Sequence, residues 1–149
     1  MPAPPKGLFI LNHRMTSNKP YSLGKSQRLK SRKQIDILFE KGKKITQFPF
    51  RLLYLAEPGK REVKAGFTVS SKNFPRAVDR NRIKRLSRES YRIQKIELEN
   101  LILKNRTALS LFFIYTGREI ISYEEISTGL KQVLDKLIRV INADDTQNT

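Results

Sequence analysis

Val63-Lys64-Ala65-Gly66-Phe67-Thr68-Val69-Ser70, followed by Ala77-Val78-Asp79-Arg80-Asn81-Arg82-Ile83-Lys84-Arg85-Leu86-Ser87-Arg88-Glu89-Ser90-Tyr91-Arg92, decides the fold, because the apolar period changes within a few residues from two to 3.6. Val63, Ala65, Phe67 and Val69 make one greasy face of a strand. Asn73 and Pro75 stand where a helix can start, the proline fitting a first turn whose amide would be unpaired in any case. The helix is expected to reach about Leu103 with Asn105 as its stop, and Ala108 to Tyr115 then forms a strand that is apolar on both faces. Strand, helix and strand in this order make a crossover unit, which lays the basic helix across a sheet with its arginines outward at one edge.

Working outward, Ser31-Arg32-Lys33-Gln34 has the spacing of a capping box, and Ile35, Leu38 and Phe39 follow as an apolar stripe. Gly42 is expected to end this first helix in the left-handed conformation. Phe50 to Ala56 forms a strand largely apolar on both faces apart from Arg51, and Glu57-Pro58-Gly59-Lys60 supplies the turn into Val63. A second capping box, Ser122-x-x-Glu125, opens a last helix whose buried stripe is Leu130, Val133, Leu134, Leu137, Ile138 and Ile141. The expected class is α+β, a small mixed sheet covered by helices in the order α-β-β-α-β-α. Residues 1–24 are expected to be a disordered basic arm, 25–141 a single folded domain, and 142–149 a polar tail.

The central helix carries the chemistry. At 100° per residue, Asn81, Lys84, Arg85, Arg88, Arg92 and Lys95 share an arc of roughly 100°, while Ile83, Leu86, Ile93 and Leu101 gather on the other side. Arginine suits such a face because its planar guanidinium gives two parallel hydrogen bonds to a phosphate and keeps its charge at any cellular pH. Asn81 adds an acceptor beside its donors, so it can meet a base edge or a ribose hydroxyl. From Arg76 to Lys95 eight basic residues face two acidic ones, so most of the cations have no i,i+4 carboxylate to pair with.

The whole chain of 149 residues holds one modest core, and its net charge of +16, from 30 Lys+Arg against 14 Asp+Glu, selects a polyanion as partner. No apolar run approaches the roughly 18 residues that span a bilayer, so nucleic acid is preferred to membrane. Cysteine is absent, which excludes disulfides and thiolate chemistry and suits a cytoplasmic protein. The one histidine, His13, lies in a Pro/Ser/Asn-bearing stretch and is read as a surface residue. The carboxylates are scattered rather than paired, and neither a nucleophile with an adjacent base nor a glycine-rich phosphate loop occurs.

These residues resemble the protein component of bacterial ribonuclease P. The resemblance rests on Ala77-Val78-Asp79-Arg80-Asn81-Arg82-Ile83-Lys84-Arg85 with Arg88-Glu89 and Arg92, on Gly66-Phe67-Thr68-Val69-Ser70 and Lys72 leading into it, and on Arg28-Leu29 and Tyr123-Glu124-Glu125 in matching order. It implies a fold like the second domain of ribosomal protein S5, with a left-handed crossover where general rules favour a right-handed one. It also implies that a partner RNA, ribonuclease P RNA, removes the 5′ leader of precursor tRNA with Mg2+ held mainly by that RNA and the substrate. No catalytic residue and no metal site are then expected in the protein. The RNA-binding residues implied are Lys72, Arg76, Arg80, Asn81, Arg82, Lys84, Arg85, Arg88 and Arg92. A groove for the leader between the first helix and the sheet has Phe39, Phe50 and Tyr54 as candidates. Ile35, Ser71 and Tyr115 depart from the family's usual residues at three positions. Two other classes remain as rivals: a ribosomal or ribosome-assembly RNA-binding protein, and a magnesium-dependent nuclease acting alone.

Overall fold

Ser31 opens the first helix as the capping box requires, its Oγ accepting from the Gln34 amide at 3.4 Å. In the computed structural model, which describes residues 27–59 and 61–147, this helix is α1, Arg32–Lys41. The arm expected over residues 1–24, His13 included, lies outside the described residues. Strands β1 (Lys43–Gln47), β2 (Phe50–Pro58) and β3 (Glu62–Val69) follow, then helices α2 (Ala77–Gln94) and α3 (Ile96–Asn105), strand β4 (Thr107–Tyr115) and helix α4 (Tyr123–Gln147). The sheet order is β1-β2-β4-β3, with β3 parallel to β4 and the other neighbours antiparallel. The crossover between two parallel strands is therefore present as the change of period indicated.

Four expectations are corrected. The sheet has a further strand, β1, whose only large apolar residue is Ile45; such an edge strand carries too little alternation to be seen in sequence. The long basic helix is broken at Lys95 into α2 and α3, and α3 takes Glu97 and Glu99 into its first turn, where carboxylates favour a helix start. Gly42 has φ −70° and ψ 155°, so it is not left-handed. It is small because a Cβ there would lie 2.4 Å from the Leu38 carbonyl oxygen. The last helix continues to Gln147, into what was expected to be tail.

Both faces of the sheet are covered. On one, Phe50, Leu52, Tyr54, Val63, Leu109, Leu111, Phe113 and Tyr115 pack with residues of α2, α3 and α4, among them Ile83, Tyr91, Leu98, Ile102, Leu130 and Leu137. On the other, Leu53 and Phe112 pack against Leu29 and Leu38, bordered by Ile35, Leu55 and Ile114. The alternation of β2 and β4 between these two sets explains why each strand is apolar throughout. Ser122 caps α4, accepting from the Glu125 amide at 3.1 Å while its hydroxyl donates to the Glu125 carboxylate at 3.3 Å. No described helix is long and apolar enough to cross a membrane.

Candidate RNA interface

The outer face of α2 is held by what lies beneath it. Ile83, Ser87, Ser90 and Tyr91 are buried, and the Tyr91 ring sits 5.6 Å from both Phe67 and Phe113. The Ser87 hydroxyl donates back to the Ile83 carbonyl at 2.8 Å, so its polar atom is satisfied inside the core. Burial pushes the Tyr91 phenol far above its ordinary range, and the negative charge of Glu99 adds to the effect. This side of α2 is thus fixed packing, and rotation of the helix would expose it.

Asn81, Arg82, Arg85 and Arg88 are exposed on the opposite side, with Lys84 half-buried at its margin. Arg76 caps the helix from an extended conformation, and Lys72 lies exposed in the preceding loop, its amide donating to Ser70 Oγ at 3.2 Å. Phe74, 6% exposed, anchors that loop in the core. No carboxylate lies within ion-pair distance of Lys72, Arg76, Arg82, Lys84, Arg85 or Arg88 among the described residues. Their charge is left to solvent or to an anion.

Three cations behave differently. Arg80 donates from Nη1 to the carbonyls of Phe74 at 2.8 Å and Pro75 at 2.7 Å, tying the loop to the helix. It lies about 100° of helix rotation from Asn81, and this offset is the sequence signal that separates it from the outward arc. Arg92 is clasped by Glu89 through Nε at 3.2 Å and through Nη2. The hydrogen bonds from Arg92, the largest cause, hold the Glu89 carboxyl below its ordinary value; burial opposes them, and the charge of Arg92 adds a smaller lowering. Lys95 overturns the helical-wheel reading: it is 1% exposed, and its Nζ donates to Gln27 Oε1 at 3.0 Å and Glu99 Oε2 at 3.2 Å. Ile93, expected inside, is 47% exposed.

The aromatic candidates separate by face. Phe39 is 57% exposed on α1, its ring edge-on to Phe112 at 5.8 Å. Phe50 and Tyr54, 1% and 6% exposed, point to the other face and pack in the main core, so they are withdrawn as groove residues. Beside the part of the sheet that α1 covers, Arg51 is exposed and its neighbours Ile114 and Thr68 are half-buried, forming a row across β2, β4 and β3. Of the three departures, Ile35 packs at the edge of the α1-side cluster and Ser71 is exposed, while Tyr115 is buried and donates to the Glu119 carbonyl at 2.6 Å.

The Ribonuclease P sequence profile matches residues 23–138, which includes every strand and the whole of α2. The chain belongs to the ribonuclease P protein family. The ribonuclease P protein component of Porphyromonas gingivalis is 31% identical over 125 residues, covering 83% of this chain and 91% of that protein. That of Legionella pneumophila is 37% identical over 90 residues, covering 60% of this chain and 78% of its own. The fold also matches the solved RNase P protein of Staphylococcus aureus at a TM-score of 0.57 and 22% identity, covering 76% of this chain and 96% of that one. A mutant of that Staphylococcus aureus protein, described as defective in mRNA degradation, gives 0.60 at 21% identity, covering 76% and 89%. Family membership makes this chain the protein component of a ribonucleoprotein endoribonuclease of tRNA 5′ processing, associated with ribonuclease P RNA.

Proposed function

We propose that the outer face of α2 binds ribonuclease P RNA and that the α1 side of the sheet receives the 5′ leader of precursor tRNA in the cytoplasm. The carrying observation is the exposed set Asn81, Arg82, Arg85 and Arg88 on a helix whose other side is locked into the core. Rigid guanidinium forks at one-turn spacing meet successive phosphates at little ordering cost, and each contact releases counterions from the RNA. Phe39 stands at the edge of the α1 side with an exposed ring on which a leader base can stack, and Arg51 offers a charge for the strand that carries it. Hydrolysis belongs in this reading to the RNA with its magnesium.

The test is Phe39→Ala in the holoenzyme reconstituted with ribonuclease P RNA. Precursor tRNA affinity is expected to fall by about 1–3 kcal/mol with mature tRNA affinity unchanged. Because the ring is more than half exposed, the melting temperature of the free protein should move little. Parallel loss of both affinities, with a large drop in melting temperature, would remove the leader from the α1 side. Cleavage of precursor tRNA by the protein stripped of RNA would overturn the assignment of the chemistry to the RNA.

A further inference from the structure

Arg106 is the non-glycine residue with positive φ among the described residues, at φ 53° and ψ 50°. It directly follows α3, at the place where a left-handed residue ends the helical ladder and where glycine or asparagine is the usual occupant. An arginine Cβ disfavours this conformation, so the side chain is kept against the local backbone preference. The helix dipole does not call for it, because Lys104 already puts a cation in the last turn of α3. An exposed residue held in such a conformation points to a use for its side chain.

The chain places two more cations beside it. The Gly59 amide donates to the Arg106 carbonyl at 3.3 Å, joining the β2–β3 turn to the start of β4. Pro58 pairs with Thr107 and Glu62 with Ala108, so Arg61, just before β3, runs alongside the first residue of β4. Arg61, Lys104 and Arg106 are all exposed, and among the described residues none has a carboxylate within ion-pair distance. This cluster stands at the opposite end of the sheet from the start of α2. Helix α2 follows the C-terminal end of β3, whereas Arg106 precedes the N-terminal end of the parallel strand β4. The strand between the two ends is about 26 Å long, so the loop before α2 and the start of that helix lie well beyond the roughly 8 Å over which salt leaves exposed charges coupled to this cluster.

We propose that Arg61, Lys104 and Arg106 form a second phosphate-binding point, which grips a segment of ribonuclease P RNA separate from the one on α2. The inference rests on the RNA-binding reading of α2 and adds to it a bridging role: one small domain pins two RNA segments at a fixed distance. Arg106→Asn tests it by removing the charge while keeping a residue that accepts the left-handed conformation. Its melting temperature is expected to be unchanged or raised by up to about 3 °C. Affinity for ribonuclease P RNA near physiological salt is expected to fall about three- to tenfold, with a salt slope shallower by about one. Arg106→Lys, which keeps the charge at the same backbone cost, should retain most of the affinity. An Arg106→Asn protein with wild-type affinity and slope, beside an Arg82→Ala protein that binds weakly, would overturn the second point alone. Salt-independent binding by the wild-type protein would overturn both readings.

Discussion

Arg82 and Lys95 lie on one basic stretch of sequence, yet the first is exposed, with no carboxylate in ion-pair distance among the described residues, while the second is buried between Gln27 and Glu99. The same kind of charge is left open to solvent at one end of the stretch and is a piece of internal wiring at the other. The difference lies in what approaches from elsewhere in the chain. Among the described residues no other element covers the helix near Arg82, whereas near Lys95 the segment before α1 is drawn in, and Gln27 donates from Nε2 to Glu99 at 3.3 Å. A cationic residue on a helix therefore becomes available to RNA only if the fold leaves its side uncovered, whatever its position on the wheel.

The contrast is open to attack, most strongly at Lys95. Lys95→Ala leaves Glu99 and Gln27 without their cation and should cost about 3–5 kcal/mol of folding stability in urea titration. Lys95→Met, which refills the volume, should cost less. Wild-type stability combined with a flatter salt slope would return Lys95 to the RNA face. A finer division is expected between Arg80 and Arg82. Arg80→Ala should lose about 1–2 kcal/mol of stability, because two carbonyls of the loop before α2 lose their donor. Arg82→Ala should leave the melting temperature alone and weaken ribonuclease P RNA binding about tenfold in filter assays. Equal effects of both substitutions on both measurements would erase the distinction between anchor and ligand. For the wild-type protein, six to eight phosphate contacts would give a slope of log K against log salt of roughly −5 to −7. Each exposed arginine removed from α2 should reduce it by about one, whereas a slope near zero would mean that base or apolar contacts carry the affinity.

The smallest expected effect belongs to Glu89, which is half exposed and clasped by Arg92. Its carboxyl is depressed from the ordinary value of 4.5, so the pair stabilises the fold above that pH and the contribution is lost as pH falls through the lower folded value. Melting temperatures of wild type and Glu89→Gln should differ slightly at pH 6 and converge as the pH is taken below the ordinary carboxylate range. A gap that widens on acidification would contradict the pairing.

What sequence carried and what it hid follow from the range of the interactions involved. The capping boxes at Ser31 and Ser122 and the period-two strand over Val63 to Val69 are local, and each was legible. The outward arc of Asn81, Arg85 and Arg88 was legible for the same reason, since helical periodicity settles it once one side is apolar. Burial of Lys95 depends on Gln27, 68 residues away, and no window of periodicity contains that contact. The side to which Phe50 and Tyr54 point depends on which helices cover which face of the sheet, again a tertiary fact, and both strand faces were apolar enough to hide it. Gly42 ends its helix through close approach to a carbonyl, which leaves the same residue in the sequence as positive φ does.

The sheet ends on one side in β1, which begins Lys43-Lys44, and on the other in β3, where the Leu29 amide bonds to the Ala65 carbonyl and Arg28 forms a short parallel bridge. An open strand is a template on which a second molecule can add its own, and lysines along one rim with a covering segment on the other oppose that addition. Before the protein assembles with ribonuclease P RNA, these rims oppose the strand-by-strand polymerisation that an open sheet edge invites.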